Sequence, residues 1–131
     1  MDQLTVATHA RTQMVDITAQ VQELVRQRGW AEGALLLWCP HTTGALTVNE
    51  AADPDVARDV TATMNTLVPR QGDYRHAEGN SDAHVKTSLF GPALPCIISG
   101  GRVRLGTWQG IYFCEWDGPR TRQLWAQFLP A

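Results

Sequence analysis

The chain is short of charge, has no cluster of basic residues and no long apolar run, and each shortage removes a class of function. Charged side chains make up 18% of its 131 residues and the net charge is −2. It therefore lacks the electrostatic footprint of a nucleic-acid binder or of a protein drawn to acidic membranes. No stretch approaches the roughly 20 apolar residues that a membrane-spanning helix needs. The N-terminal segment MDQLTVATHARTQ has neither the basic start nor the apolar core of a secretion signal, so a cytoplasmic protein is expected. Cysteine is scarce and odd in number. Cys39, Cys96 and Cys114 lie far apart, each within an apolar run (LLLWCP, LPCIIS, IYFCEW). That pattern argues against a disulfide framework and predicts buried thiols. Nothing of the form HExxH or CxxC is present.

What remains is an ordinary globular composition, 44% hydrophobic, at a length that suits one domain spanning residues 1–131. Residues 3–8 and 12–17 alternate apolar and polar side chains, as paired strands do. Ile17, Val21, Leu24 and Val25 then repeat with helical spacing, with Thr18 able to cap the start and Gly29 the end. ALLLWC (34–39) is apolar throughout and reads as a strand buried on both faces; ALTV (45–48) follows the break at Pro40. Asp53 before Pro54 is a helix start, with Val56, Val60, Met64 and Leu67 as its buried face and Pro69 as its stop. Residues 70–81 form a long polar loop, a feature that often carries function. Asp82 can cap a short helix over 83–89. Strands are expected at about 94–99, 102–106, 109–116 and 121–128, joined as a meander with turns at Gly100-Gly101 and Asp117-Gly118-Pro119. The order predicts an α+β sandwich of mixed or antiparallel sheet with two main helices.

Three of the four histidines fall in loops or at element edges: His41 opening HTTG, His76 in YRH, and His84 in SDAHVKTS. Glu50, Asp53, Glu78 and Asp82 are near them in sequence. Imidazoles and carboxylates are the donors a divalent transition metal takes, and a carboxylate can instead orient an imidazole through its other nitrogen. The plainer alternative leaves His41 at a strand end, His76 in solvent and His84 packed on a helix. His9, isolated beside the first strand, takes that plainer reading. In the GTWQGIYFCEWDG segment, Trp108 could stack on a heterocycle and Gln109 hydrogen-bond its edge; a core tryptophan is the alternative. Lys86, with Ser88 two residues on, is a candidate anion contact, or simply a solvated lysine.

The blocks HTTGALTVNE (41–50), ADPDV (52–56), YRH (74–76), EGNSDAHVKTSLFGPAL (78–94) and GTWQGIYFCEWDGPR (106–120) closely resemble the YjbQ-like family, over nearly the whole chain. The resemblance implies a compact sandwich, homotrimeric association and a metal site at His41, His76 and His84. It also implies a secondary thiamine-phosphate synthase activity. By motif position Glu50, Asp53, Glu78, Asp82, Lys86 and the Trp108-Gln109 pair would be its other site candidates. With Ser88 added from its place beside Lys86, Glu50, Asp53, Lys86 and Gln109 are expected to be catalytic and Trp108, Ser88, Glu78 and Asp82 to contact substrate. Gly44-Ala45 and Thr87 depart from the family's usual residues without removing a ligand or a charge. An all-histidine site suits Zn²⁺ or another transition metal better than Mg²⁺, which prefers oxygen. That mismatch keeps two alternatives open: a metal-dependent hydrolase of a small phosphorylated or acylated metabolite, and a non-catalytic metabolite-binding trimer. In each case the partner is a small molecule, not nucleic acid or a membrane.

Overall fold

The computed structural model describes residues 1–131 as eight strands and three helices. β1 (Asp2–Ala7), β3 (Gly33–Trp38), β5 (Ala93–Ser99), β6 (Arg102–Val103) and β8 (Thr121–Pro130) form one antiparallel sheet in the order β1-β8-β3-β5-β6. β2 (Gln13–Asp16), β4 (Gly44–Glu50) and β7 (Gln109–Glu115) form a second, with β7 in the middle. The helices are α1 (Thr18–Arg28), α2 (Pro54–Leu67) and α3 (Ser81–Phe90). This is the expected α+β class, and no helix is long and apolar enough to cross a membrane.

The three-stranded sheet is the middle layer. Along β7, Ile111 and Phe113 join Leu35, Leu37, Ile98 and Leu124 of the large sheet, with Val21, Leu24 and Val25 of α1, in the main core. The alternate residues Tyr112 and Cys114, with Trp116 just beyond, pack on the other side with Ala83 and Phe90 of α3 and Met64 of α2. A strand whose successive side chains point to opposite faces serves both cores only if both faces are covered. Nearly every β7 residue is buried accordingly.

Several local expectations hold. Gly29 adopts φ 65° and closes α1, with the Trp30 N–H bonded to Val25 O. The Asp53 carboxylate caps α2 by accepting from the Asp55 N–H at 2.9 Å, with Pro54 at the first helical position. Gly100 and Gly101, both at positive φ, make the two-residue turn that pairs Ser99 with Arg102. All three cysteines are buried and free. Burial pushes the Cys96 thiol up to about 11 and raises Cys39 and Cys114 as well, which leaves none of them nucleophilic at neutral pH.

Others are corrected. The first two strands do not pair; β1 runs beside β8 and β2 beside β7. The C-terminal strands are not a meander, because β7 leaves for the other sheet while β8 inserts between β1 and β3. β6 has two residues where five were expected. β3 is buried on one face only, and Trp38 on the other is 41% exposed. Thr18 does not cap α1: Ile17 stands at the cap, and the Asp16 carboxylate accepts from the Thr18 N–H and hydroxyl instead. No residue of α2 is buried, and Leu67 is exposed. The cap position of α3 is Asn80, not Asp82, and its side chain makes no capping bond.

Candidate functional site

Four segments meet at a cavity of about 460 Å³ with no hydrophobic residue in its lining. The β3–β4 loop brings Thr42 and Thr43, and the polar loop after α2 brings Arg70, His76 and Glu78. The start of α3 adds Asn80 and His84, and the β7–β8 turn adds Asp117 and Arg120. The His76 and His84 rings meet edge to face, with centroids 5.3 Å apart. His76 Nε2 lies 3.9 Å from Glu78 Oε2.

Some of these groups are already committed. Asp117 accepts from Arg120 Nη2 at 3.1 Å and from Asn80 Nδ2 at 2.8 Å. Others are not. Arg70 has no carboxylate partner. The inward Asn80 Oδ1 has no hydrogen-bond donor, an arrangement that is costly unless a ligand or water supplies one. The formal charges of Arg70, Arg120, Glu78 and Asp117 cancel.

Two buried charge networks hold this frame. Beneath Thr43, Arg122 donates through Nη2 to Thr43 Oγ1 at 2.8 Å and through Nε to Glu115 Oε1 at 2.8 Å. Glu115 also accepts from the Thr8 hydroxyl and the Asp117 N–H. Burial alone would raise the Glu115 carboxyl, but Arg122, then Asp117 and Thr8, outweigh it and hold it low. On α3, Asp82 is fully buried and receives two hydrogen bonds from Arg11 and one from Lys86, all at 3.0 Å. Lys86 Nζ also donates to Asn65 Oδ1 of α2 at 2.8 Å. For Asp82, too, burial pushes upward, and the Arg11 and Lys86 bonds prevail, holding its carboxyl at about 2. Arg11 and Asn65 thus tie the β1–β2 loop and α2 to the helix that carries His84.

Of the expected site residues, the structure brings together His76, His84 and Glu78. His41 does not line the cavity. Its Nε2 lies 2.9 Å from the Gln123 N–H on β8. The same Nε2 lies 3.2 Å from Gln123 O, so the β8 backbone occupies this ring nitrogen. Burial and then the Arg122 charge hold the imidazole below its usual range, against the Gln123 contact. Asp53 caps α2, as described. The Glu50 carbonyl accepts from the Tyr112 hydroxyl at the end of β4, and Gln109 Oε1 braces its own turn by accepting from Gly106 N–H. Trp108 is 64% exposed and outside the cavity. Ser88 donates back to His84 O. Lys86 and Asp82 satisfy each other inside the fold and present nothing to a ligand.

Thr42, Thr43, Arg70, Asn80, Asp117 and Arg120 were not singled out from the sequence. All but Arg70 stand in the motif blocks HTTG, EGNSDAH and WDGPR, which was the available signal. A metal held by three imidazoles does not fit this arrangement: His41 is engaged elsewhere, and no three His, Cys, Asp or Glu side chains of the chain converge to hold an ion. From this chain, a metal at the cavity has His76 and His84 to draw on.

The fold and the cavity define the class: a two-sheet α+β domain whose polar loop and third helix present a histidine pair among unpaired donors. The model of the UPF0047 protein YjbQ-like family matches residues 2–131. The chain is 45% identical to the UPF0047 protein YugU of Bacillus subtilis over 96% of each. An uncharacterised YjbQ/UPF0047 protein of Clostridium acetobutylicum superposes with a TM-score of 0.95 at 44% identity, over 98% of this chain and all of that one. A hypothetical protein of Aeropyrum pernix gives 0.94 at 36% identity, over 99% and 98%. The chain belongs to the UPF0047 YjbQ-like family.

Proposed function

We propose that the chain is an enzyme acting on a small phosphorylated metabolite in the cavity around His76 and His84, with thiamine-phosphate synthesis as its reaction. The observation that carries this reading is the wholly polar cavity with the unpaired Arg70 at its side. A guanidinium without a partner is suited to bidentate binding of phosphate oxygens, and Thr42 and the imidazoles add donors. In the proposed reaction the bond from the pyrimidine methylene to its diphosphate breaks, the thiazole nitrogen takes that carbon, and pyrophosphate leaves. Arg70 would offset charge on the departing diphosphate, and an imidazolium of the pair would donate to its leaving oxygen.

The test is twofold. The gene should restore growth of a thiamine-requiring strain, and the purified protein should release pyrophosphate from the two substrates; His84→Ala should abolish both. Wild-type protein that does neither removes the synthase reading. A second reading, hydrolysis of a phosphorylated metabolite, draws on the 3.9 Å approach of Glu78 to His76, where the carboxylate could orient the imidazole as a base for water. Silence across a panel of phosphate esters would remove it.

Homotrimeric association belongs to the same proposal. Trp38, Ile97 and Leu129 are exposed on the outer face of the five-stranded sheet, an apolar surface with no helix over it, which suits a contact between copies. A monomer in light scattering at micromolar concentration would remove the trimer.

A further inference from the structure

The cavity beside Arg70 shares its histidines with a second hollow. This one has a volume of about 420 Å³, and His76 and His84 are the two residues that line both. The start of α3 divides between them as well, with Asn80 on one side and Ser81 on the other. The imidazole pair is therefore a partition, with a different chemistry on each side of it.

The first hollow is entirely polar. The second presents the Tyr74 ring and the Val85 side chain, with Asp73 and Arg75 as charges of opposite sign that cancel. Val85 is 41% exposed beside the histidines, while Ala83 and Phe90 of the same helix enter the second core and Leu89 is exposed as well. Tyr74 is fixed in place rather than loose. Its hydroxyl donates to Pro69 O at 2.6 Å and its N–H to Gly72 O at 2.9 Å. Gly72 lies so close under the ring that an added Cβ would stand 3.1 Å from two of its carbons. The polar loop thus spends a glycine and two hydrogen bonds on holding one aromatic face beside the histidines.

We infer that the two hollows receive the two halves of one ligand. A phosphate or diphosphate sits with Arg70 and Thr42, a flat uncharged organic group sits against Tyr74 and Val85, and the linkage between them passes His76 and His84. The inference rests on the phosphorylated-metabolite reading above and adds the shape and chemistry of the other half. A free inorganic anion would leave the Tyr74 platform idle. An uncharged heterocycle alone would leave Arg70 unanswered.

Calorimetry with inorganic phosphate and with phenyl phosphate separates the cases. Wild-type protein should bind phenyl phosphate about tenfold more tightly than phosphate, a gain of the size that an aromatic contact provides. Tyr74→Ala should cut that advantage below about twofold. Arg70→Ala should weaken both ligands alike. Because Tyr74→Ala can disorder its loop, Val85→Asp, at an exposed position, serves as a second variant and should remove the same advantage. Equal wild-type affinity for the two ligands overturns the two-part site but leaves the phosphate reading intact. An advantage that survives both Tyr74→Ala and Val85→Asp also overturns it. Failure to bind either ligand removes the proposed function and this inference with it.

Discussion

The chain keeps arginine, aspartate and glutamate in two opposite conditions a few residues apart. In the networks of Glu115 with Arg122, and of Asp82 with Arg11 and Lys86, each carboxylate is dry and each has several hydrogen-bond partners. In the cavity above them, Arg70 has no partner, Glu78 is largely exposed and the histidines are open on two sides. Charge that has found its counterpart inside the protein stabilises the frame; charge left without one is available to a ligand. Satisfaction rather than residue type decides what a charged group does here, and three measurements probe that division.

The largest effect belongs to Glu115→Ala. Removing that carboxylate strands a fully buried guanidinium, and breaking one side of such a pair costs about 3–5 kcal/mol. Urea unfolding should show the loss. A change below about 1 kcal/mol would mean that the buried pair does not support the frame.

Acid titration of Asp82 comes next. Its carboxyl is held at about 2 in the fold, below the ordinary 3.8. The ionised form is therefore favoured in the folded state, and that stability is fully present above about pH 4 and lost as pH falls through about 2. The separation corresponds to about 2 kcal/mol. Wild type should lose that much over the window, while Asp82→Asn starts lower and stays flat from this source. Parallel acid profiles for the two proteins would contradict the assignment.

The smallest stability effect belongs to Arg70→Ala, within about 0.5 kcal/mol, because this side chain holds nothing in place. A loss of more than about 1.5 kcal/mol would place Arg70 with the structural group and erase the contrast.

The same distinction marks how far the sequence could be read. The helix limits at Gly29, Asp53-Pro54 and Pro69 are local chemistry and were legible. Which strand pairs with which was not, because alternation within β1 or β7 specifies two faces but not the neighbour at each edge. His76 and His84 were found as polar-loop and helix residues, and the family likeness singled them out. Arg70 was missed, since one arginine after a helix looks the same in sequence whether it faces water or a ligand. Lys86 and Asp82 look like ligand contacts in the sequence, although their spacing of four on one helix also allows an internal pair. His41 was grouped with the other two by motif. Its engagement depends on β8 passing close by, which is a property of the fold and not of the motif.

β7 has a consequence for the rim of the cavity. Both of its faces are committed to packed interiors, so sliding by one position would turn every side chain toward the wrong layer. The smallest permissible step is two residues, roughly 7 Å, far too coarse for thermal drift. Asp117, two residues past the end of this strand, is therefore indexed by the interior like a tooth on a ratchet. Together with Arg120 it gives the site one wall whose position is decided far from any ligand.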